Sequence, residues 1–185
     1  NACGGPRRSW GWDMDDTAYR AALACLPEVS VQALPRLIGL AGSARALWDI
    51  LEEGGGRAVA LVGADKAELV RDACRASGPA ATLAELARKG IRAASLESAD
   101  WPERLQAIYD PPAALFVRGG ELPSHDPCVA VVGSRKASSY GRWAAETIGR
   151  ELAERGVVVV SGAAYGVDGC AHLGCLVAGG RTVAV

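Results

Sequence analysis

The chain has 185 residues, half of them hydrophobic, which excludes global disorder and allows one large or two small packed domains. Its 20 basic and 21 acidic side chains leave a net charge of −1, so any nucleic-acid contact must come from basic residues gathered locally. There is no apolar run of about 18 residues to span a membrane and no opening signal peptide, so a cytoplasmic protein is expected.

The opening stretch NACGGPRRSWGWDMDD is polar and Gly-rich, and residues 1–15 read as a flexible tail. Residues 16–89 read as a small all-helical domain. Tyr19, Leu23 and Leu26 form a first apolar stripe, and Val31, Leu34 and Ile38 continue at helical spacing. Ser43 is positioned to cap a helix over 44–51, with Leu47, Trp48 and Leu51 facing inward. Two short helices are predicted over 66–76 and 82–88, the second ended by Gly90.

The pattern changes after Gly90. IRAASL and AALFVRG resemble short strands, linked by the Pro-rich WPERLQAIYDPP. From Cys128 a strand–loop–helix unit repeats. CVAVV is a strand, GSRKASS a loop and 140–155 a helix, with Tyr140, Ala144, Ile148 and Leu152 on one face. VVVV, SGAAYG, a helix over 167–178 and TVAV follow. Near-continuous valine runs imply strands covered on both faces, as in a parallel sheet of Rossmann-like type. The sequence ends inside the third such strand, so residues 90–185 read as the first part of a longer α/β domain. The cysteines, at 3, 25, 74, 128, 170 and 175, include no CxxC pair and read as reduced thiols.

The first loop is the strongest candidate site. A Gly-containing turn before a helix N-terminus, at the carboxyl end of a strand, favours anions through backbone N–H groups and the helix dipole. Gly133, Ser134, Arg135 and Lys136 occupy it, with Ser138 and Ser139 as further donors. The pattern is neither GxGxxG nor a Walker loop, so no dinucleotide or nucleoside triphosphate is indicated. The competing reading is a solvated turn that happens to carry two cations.

In the second loop, Ser161, Asp168 and His172 superficially suggest a hydrolase triad, but Ser161 lacks a nucleophile elbow. The plainer reading makes Asp168 a helix cap and His172 a hydrogen-bonded, partly buried residue. Cys170, His172 and Cys175 could suggest zinc, but residues two apart on a helix point to nearly opposite sides, so no metal is expected. Trp48, Trp101 and Trp143 read as core. Tyr140 and Tyr165, each beside a candidate loop, are the candidates for stacking on bases.

WPERLQAIYDPPAALFVRG, VAVVGSRKASSYG and VVSGAAYGVDGCAH, taken in order, resemble the DprA/Smf DNA-processing family over about residues 100–185. The preceding helices resemble that family's SAM or helix-hairpin-helix-like domain, although LPEVS lacks the glycines of a DNA-gripping hairpin. The resemblance implies an extended Rossmann-like domain that binds single-stranded DNA and loads RecA recombinase onto it in natural transformation. It also implies a homodimer in the full-length protein, with no catalysis and no cofactor. Gly133, Ser134, Arg135 and Lys136 match the family's first DNA-contacting loop. Ser161, Gly162, Ala164, Gly166, Asp168, Ala171 and His172 match its second motif. From these, Ser161, Gly162 and Gly166 are expected to join in phosphate binding, with Asp168 and His172 structural. Ala163, Cys175 and Trp101 depart from the residues usual in the family. Two other classes compete: a Rossmann-like enzyme that binds nucleotides or cleaves N-glycosidic bonds, and a purely structural interaction module. The enzyme should carry a carboxylate, usually Glu, in a Gly-rich motif beside the phosphate loop, and none appears.

Overall fold

The computed structural model describes residues 14–99, 101–123 and 125–185. Most of the expected tail therefore lies outside the described residues. The chain divides into two compact units, residues 1–120 and 121–185.

Six helices open the first unit: α1 (Met14–Ala24), α2 (Leu34–Ala41), α3 (Ala44–Glu53), α4 (Gly55–Val62), α5 (Ala64–Ala76) and α6 (Pro79–Arg88). Their apolar stripes meet in a core that includes Leu23, Leu34, Leu47, Trp48, Leu51 and Val70. Ser43 caps α3 as its position predicts, accepting the Ala46 N–H at 3.0 Å. Burial pushes the Cys74 thiol up to about 12, with Glu52 adding to the effect. The five cysteines among the described residues are free thiols.

Beyond α6, β1 (Ile91–Ala94) pairs antiparallel with β2 (Leu115–Arg118), with the short helix α7 (Glu103–Gln106) between them in sequence. The break between units thus falls after Gly120, whereas the change of sequence pattern comes after Gly90. Side-chain chemistry accounts for the difference. Thr17 of α1 shares a 2.7 Å hydrogen bond with the fully buried Ser95, just past β1. Arg20 pairs with Asp16 and, at 3.3 Å, with Glu97. The ribbon is therefore tied to the first helix.

The second unit is α/β. Strands β3 (Cys128–Ala130), β4 (Val158–Ser161) and β5 (Thr182–Ala184) form a parallel sheet in the order β3-β4-β5. Helices α8 (Ser139–Glu154) and α9 (Val167–Val177) supply the two crossovers and pack on each other. Val131, Val159, Ala171 and Cys175 form the core beneath them, joined by Leu152, Ala153 and Val167.

Two expectations need correction here. Coverage of both sheet faces holds at β4, where the adjacent Val158 and Val159 are both buried, but Val129 of β3 is exposed. The stripe of Tyr140, Ala144, Ile148 and Leu152, expected on one face of α8, does not share one environment either: Leu152 packs on the core. Tyr140 and Ile148 are exposed, and the buried positions are Ala145 and Gly149. Small residues win because backbone meets backbone at this crossing. A Cβ added to Gly149 would collide with the Ala171 carbonyl oxygen, and one on Gly174 with that of Glu146. Helices this close select glycine over large apolar side chains.

Candidate nucleic-acid interface

The candidate site is the loop 131–138, which leaves β3 at its carboxyl end and enters α8. Ser138 caps that helix by accepting the Gly141 N–H at 3.1 Å, and the Ser134 hydroxyl accepts the Lys136 N–H at 3.1 Å. The loop is therefore an ordered turn whose own hydroxyls hold it. Arg135 and Lys136 project from it, both exposed, and neither has an ion-pair partner among the described residues. Arg142, on the next turn, donates to the Ala137 carbonyl at 2.8 Å. No acidic residue stands in the first turn of α8.

The second motif, 161–172, is joined to the first by three hydrogen bonds. The Ser161 hydroxyl donates to the Val131 carbonyl at 2.6 Å. The Gly133 N–H donates to Oδ1 of the buried Asp168 at 3.2 Å. The Val167 N–H, at the start of α9, donates to the Ser134 carbonyl at 3.2 Å. Glycines permit this approach. Gly166 has φ +92°, and a Cβ there would strike the Ser134 carbonyl oxygen; one on Gly133 would come within 2.8 Å of the Val167 side chain.

These bonds redistribute the expected roles. Ser161, expected as a phosphate donor, is only 3% exposed and its hydroxyl is engaged inside the sheet. The Gly133 N–H, expected to face an anion, is occupied by Asp168. Gly162 stays exposed beside Asp168, where a Cβ would stand 3.0 Å from Oδ2. Gly166 serves the joint between the loops. Arg135 and Lys136 are left as exposed cations on the loop, with the second motif packed behind it.

Ser161, Asp168 and His172 each bond elsewhere. His172 Nδ1 lies 2.6 Å from the Thr182 hydroxyl, which itself donates to the Val159 carbonyl at 2.9 Å. The Thr182 proton is thus committed, so His172 donates from Nδ1, and its buried Nε2 has no hydrogen-bond partner among the described residues. That arrangement secures α9 to β5 and assembles no nucleophile–base pair. Among the described residues no group of three or more His, Cys, Asp or Glu is placed to hold a metal.

The aromatic residues divide. Trp48 and Trp101 are buried, in line with their reading as core. Trp143 is not: it is exposed, as are Tyr140 and Tyr165. The sequence signal for Trp143 was its place beside Tyr140 and Arg142 at a helix entrance, which the core reading passed over.

Comparison with known proteins matches this geometry to a family. A family model described as DNA recombination-mediator protein A matches residues 92–185, just over half of the chain. The DNA processing protein DprA of Bacillus subtilis is 38% identical over 104 residues, covering 56% of this chain and 35% of that protein. Protein Smf of Escherichia coli is 43% identical over 89 residues, covering 48% of this chain and 24% of that protein. The chain thus spans about a third or less of these relatives' length. The X-ray structure of DprA from Streptococcus pneumoniae superposes with a TM-score of 0.63 at 27% identity, covering 91% of this chain and 57% of that one. With the parallel β3-β4-β5 sheet and both loop motifs inside the matched region, the chain belongs to the DNA recombination-mediator protein A family, the DprA/Smf proteins.

Proposed function

We propose that this chain binds single-stranded DNA through the loop 131–138 and that the whole protein loads RecA recombinase onto the bound strand in natural transformation. The observation that carries the proposal is the exposed Arg135–Lys136 pair without an acidic partner among the described residues, on a loop fixed by Asp168. Arginine and lysine held on an ordered turn contact phosphates without reading bases, which suits a protein that must accept any sequence. Gly133 and Ser134 shape the turn, and Gly162 and Gly166 let the second loop stand close enough to support it. Tyr140 and Tyr165, both exposed, are the proposed base-stacking residues.

The RecA partnership and a homodimer of the full-length protein rest on family membership. So does action by binding, with no cofactor and no catalytic residue. A cytoplasmic setting is the matching proposal; no helix among the described residues is long and apolar enough to cross a membrane.

The test is a titration of the full-length protein with labelled single-stranded DNA and, in parallel, with mononucleotides. Salt-sensitive binding of the polymer without mononucleotide turnover is expected. Turnover of mononucleotides would replace the proposal with the N-glycosidic enzyme.

A further inference from the structure

Trp143 is 60% exposed, whereas Trp48 and Trp101 are 3% and 6% exposed. Tyr140, one turn earlier on α8, is 74% exposed. The two ring centroids are 5.7 Å apart with planes inclined at 38°. At this separation and tilt the rings steady each other without stacking face to face.

The pair stands at the entrance of α8. Tyr140 is the second helical residue and Trp143 the fifth, so both lie within about 6 Å of the helix start along its axis. The preceding loop carries Arg135 and Lys136, and Arg142, the residue before Trp143, is anchored to that loop through the Ala137 carbonyl. No acidic residue stands in the first helical turn, so the charge on the loop side of the rings is positive, while Glu146 follows one turn after Trp143. Exposed aromatic rings flanked by cations suit a single strand, whose bases offer free π-faces while its phosphates take the charge. A duplex keeps those faces stacked inside.

We infer that Tyr140 and Trp143 together form a stacking platform for unpaired nucleobases of a strand whose phosphates lie on Arg135 and Lys136. This inference rests on the proposed single-strand binding and adds to it the origin of selectivity for unpaired over paired DNA. Trp143 is the principal ring, with the larger π-surface of the two.

The test uses the full-length protein, its Trp143→Ala, Trp143→Phe and Arg135→Ala variants, a labelled oligothymidylate, and an abasic deoxyribose-phosphate strand of equal length. Trp143→Ala is expected to weaken oligothymidylate binding about tenfold, with the abasic strand and the salt slope unaffected. Trp143→Phe should retain most of the affinity, because a ring remains. Equal losses on both strands, or no loss on oligothymidylate, would overturn the platform. A Trp143→Ala variant that binds normally but changes its sedimentation would also overturn it, marking this face as a protein interface. Arg135→Ala separates the two levels. If it weakens binding to both strands while Trp143→Ala does nothing, single-strand binding stands and the platform alone falls; if the parent binds neither strand, both fall.

Discussion

Gly174→Ala and Gly149→Ala are each expected to destabilise the α/β unit strongly. On Gly174 the new Cβ would run into the carbonyl group of Glu146, and on Gly149 into that of Ala171. Backbone atoms cannot swing aside as a side chain can, so the two helices must separate. Their separation loosens the core of Val131, Val159, Ala171 and Cys175 beneath them. Overpacking of this kind costs about 3 kcal/mol, a fall on the order of 10 °C or more in the melting of a small unit. Both glycines serve one crossing, so the double variant should lose less than the two single losses combined. Thermal melting of the three variants checks this; an unchanged transition in Gly174→Ala would mean that α8 and α9 do not pack backbone to backbone.

Asp168→Ala is expected to loosen the loop 131–138 from beneath. Asp168 is buried, and its carboxylate holds the Gly133 N–H at 3.2 Å across 35 residues of sequence. Removing it leaves that donor without its partner and a gap beside Gly162, at a cost of about 1–3 kcal/mol. Because Arg135 and Lys136 sit just beyond Gly133, single-strand affinity should fall together with stability. Asp168→Asn keeps an acceptor of the same shape and should retain most of both. His172→Gln should lower stability through the lost bond to Thr182, with a smaller effect on affinity. Melting and DNA titration of the three variants provide the check. Affinity unchanged in a destabilised Asp168→Ala variant would break the proposed link between the two loops.

The parallel sheet was legible because its signals are local. Short valine runs, a glycine or serine at each loop and helical spacing after it mark every strand and helix from Cys128 onward within a residue or two. The helix α4 went unpredicted, since it opens on Gly54, Gly55 and Gly56, which have poor helix propensity. It forms where α3 and α5 provide a surface for it and Ala58 is buried, so packing overrides poor intrinsic propensity. The four apolar residues at helical spacing on α8 do not share one environment: Leu152 packs on the core while Tyr140 and Ile148 are exposed, and the glycine contact with α9 turns Ala145 and Gly149 inward.

At the candidate site, sequence located both loops but not their division of labour. Ser161 and Gly133 look like phosphate donors by position. They lose that role to Val131 and Asp168, partners 30 and 35 residues away in sequence. Such long-range bonds leave no periodic trace. Arg135 and Lys136 are exposed and have no ion-pair partner among the described residues.

The salt dependence of single-strand affinity, compared between the full-length parent and an Arg135→Ala/Lys136→Ala double variant, addresses the phosphate-loop assignment most directly. Each lost phosphate contact should reduce the slope of log affinity against log salt by about 0.7, or about 1.4 for the pair. The variant should melt as the parent does, since neither side chain has an ion-pair partner among the described residues. A variant that binds as tightly as the parent, with the same slope, would contradict the assignment of DNA to this loop.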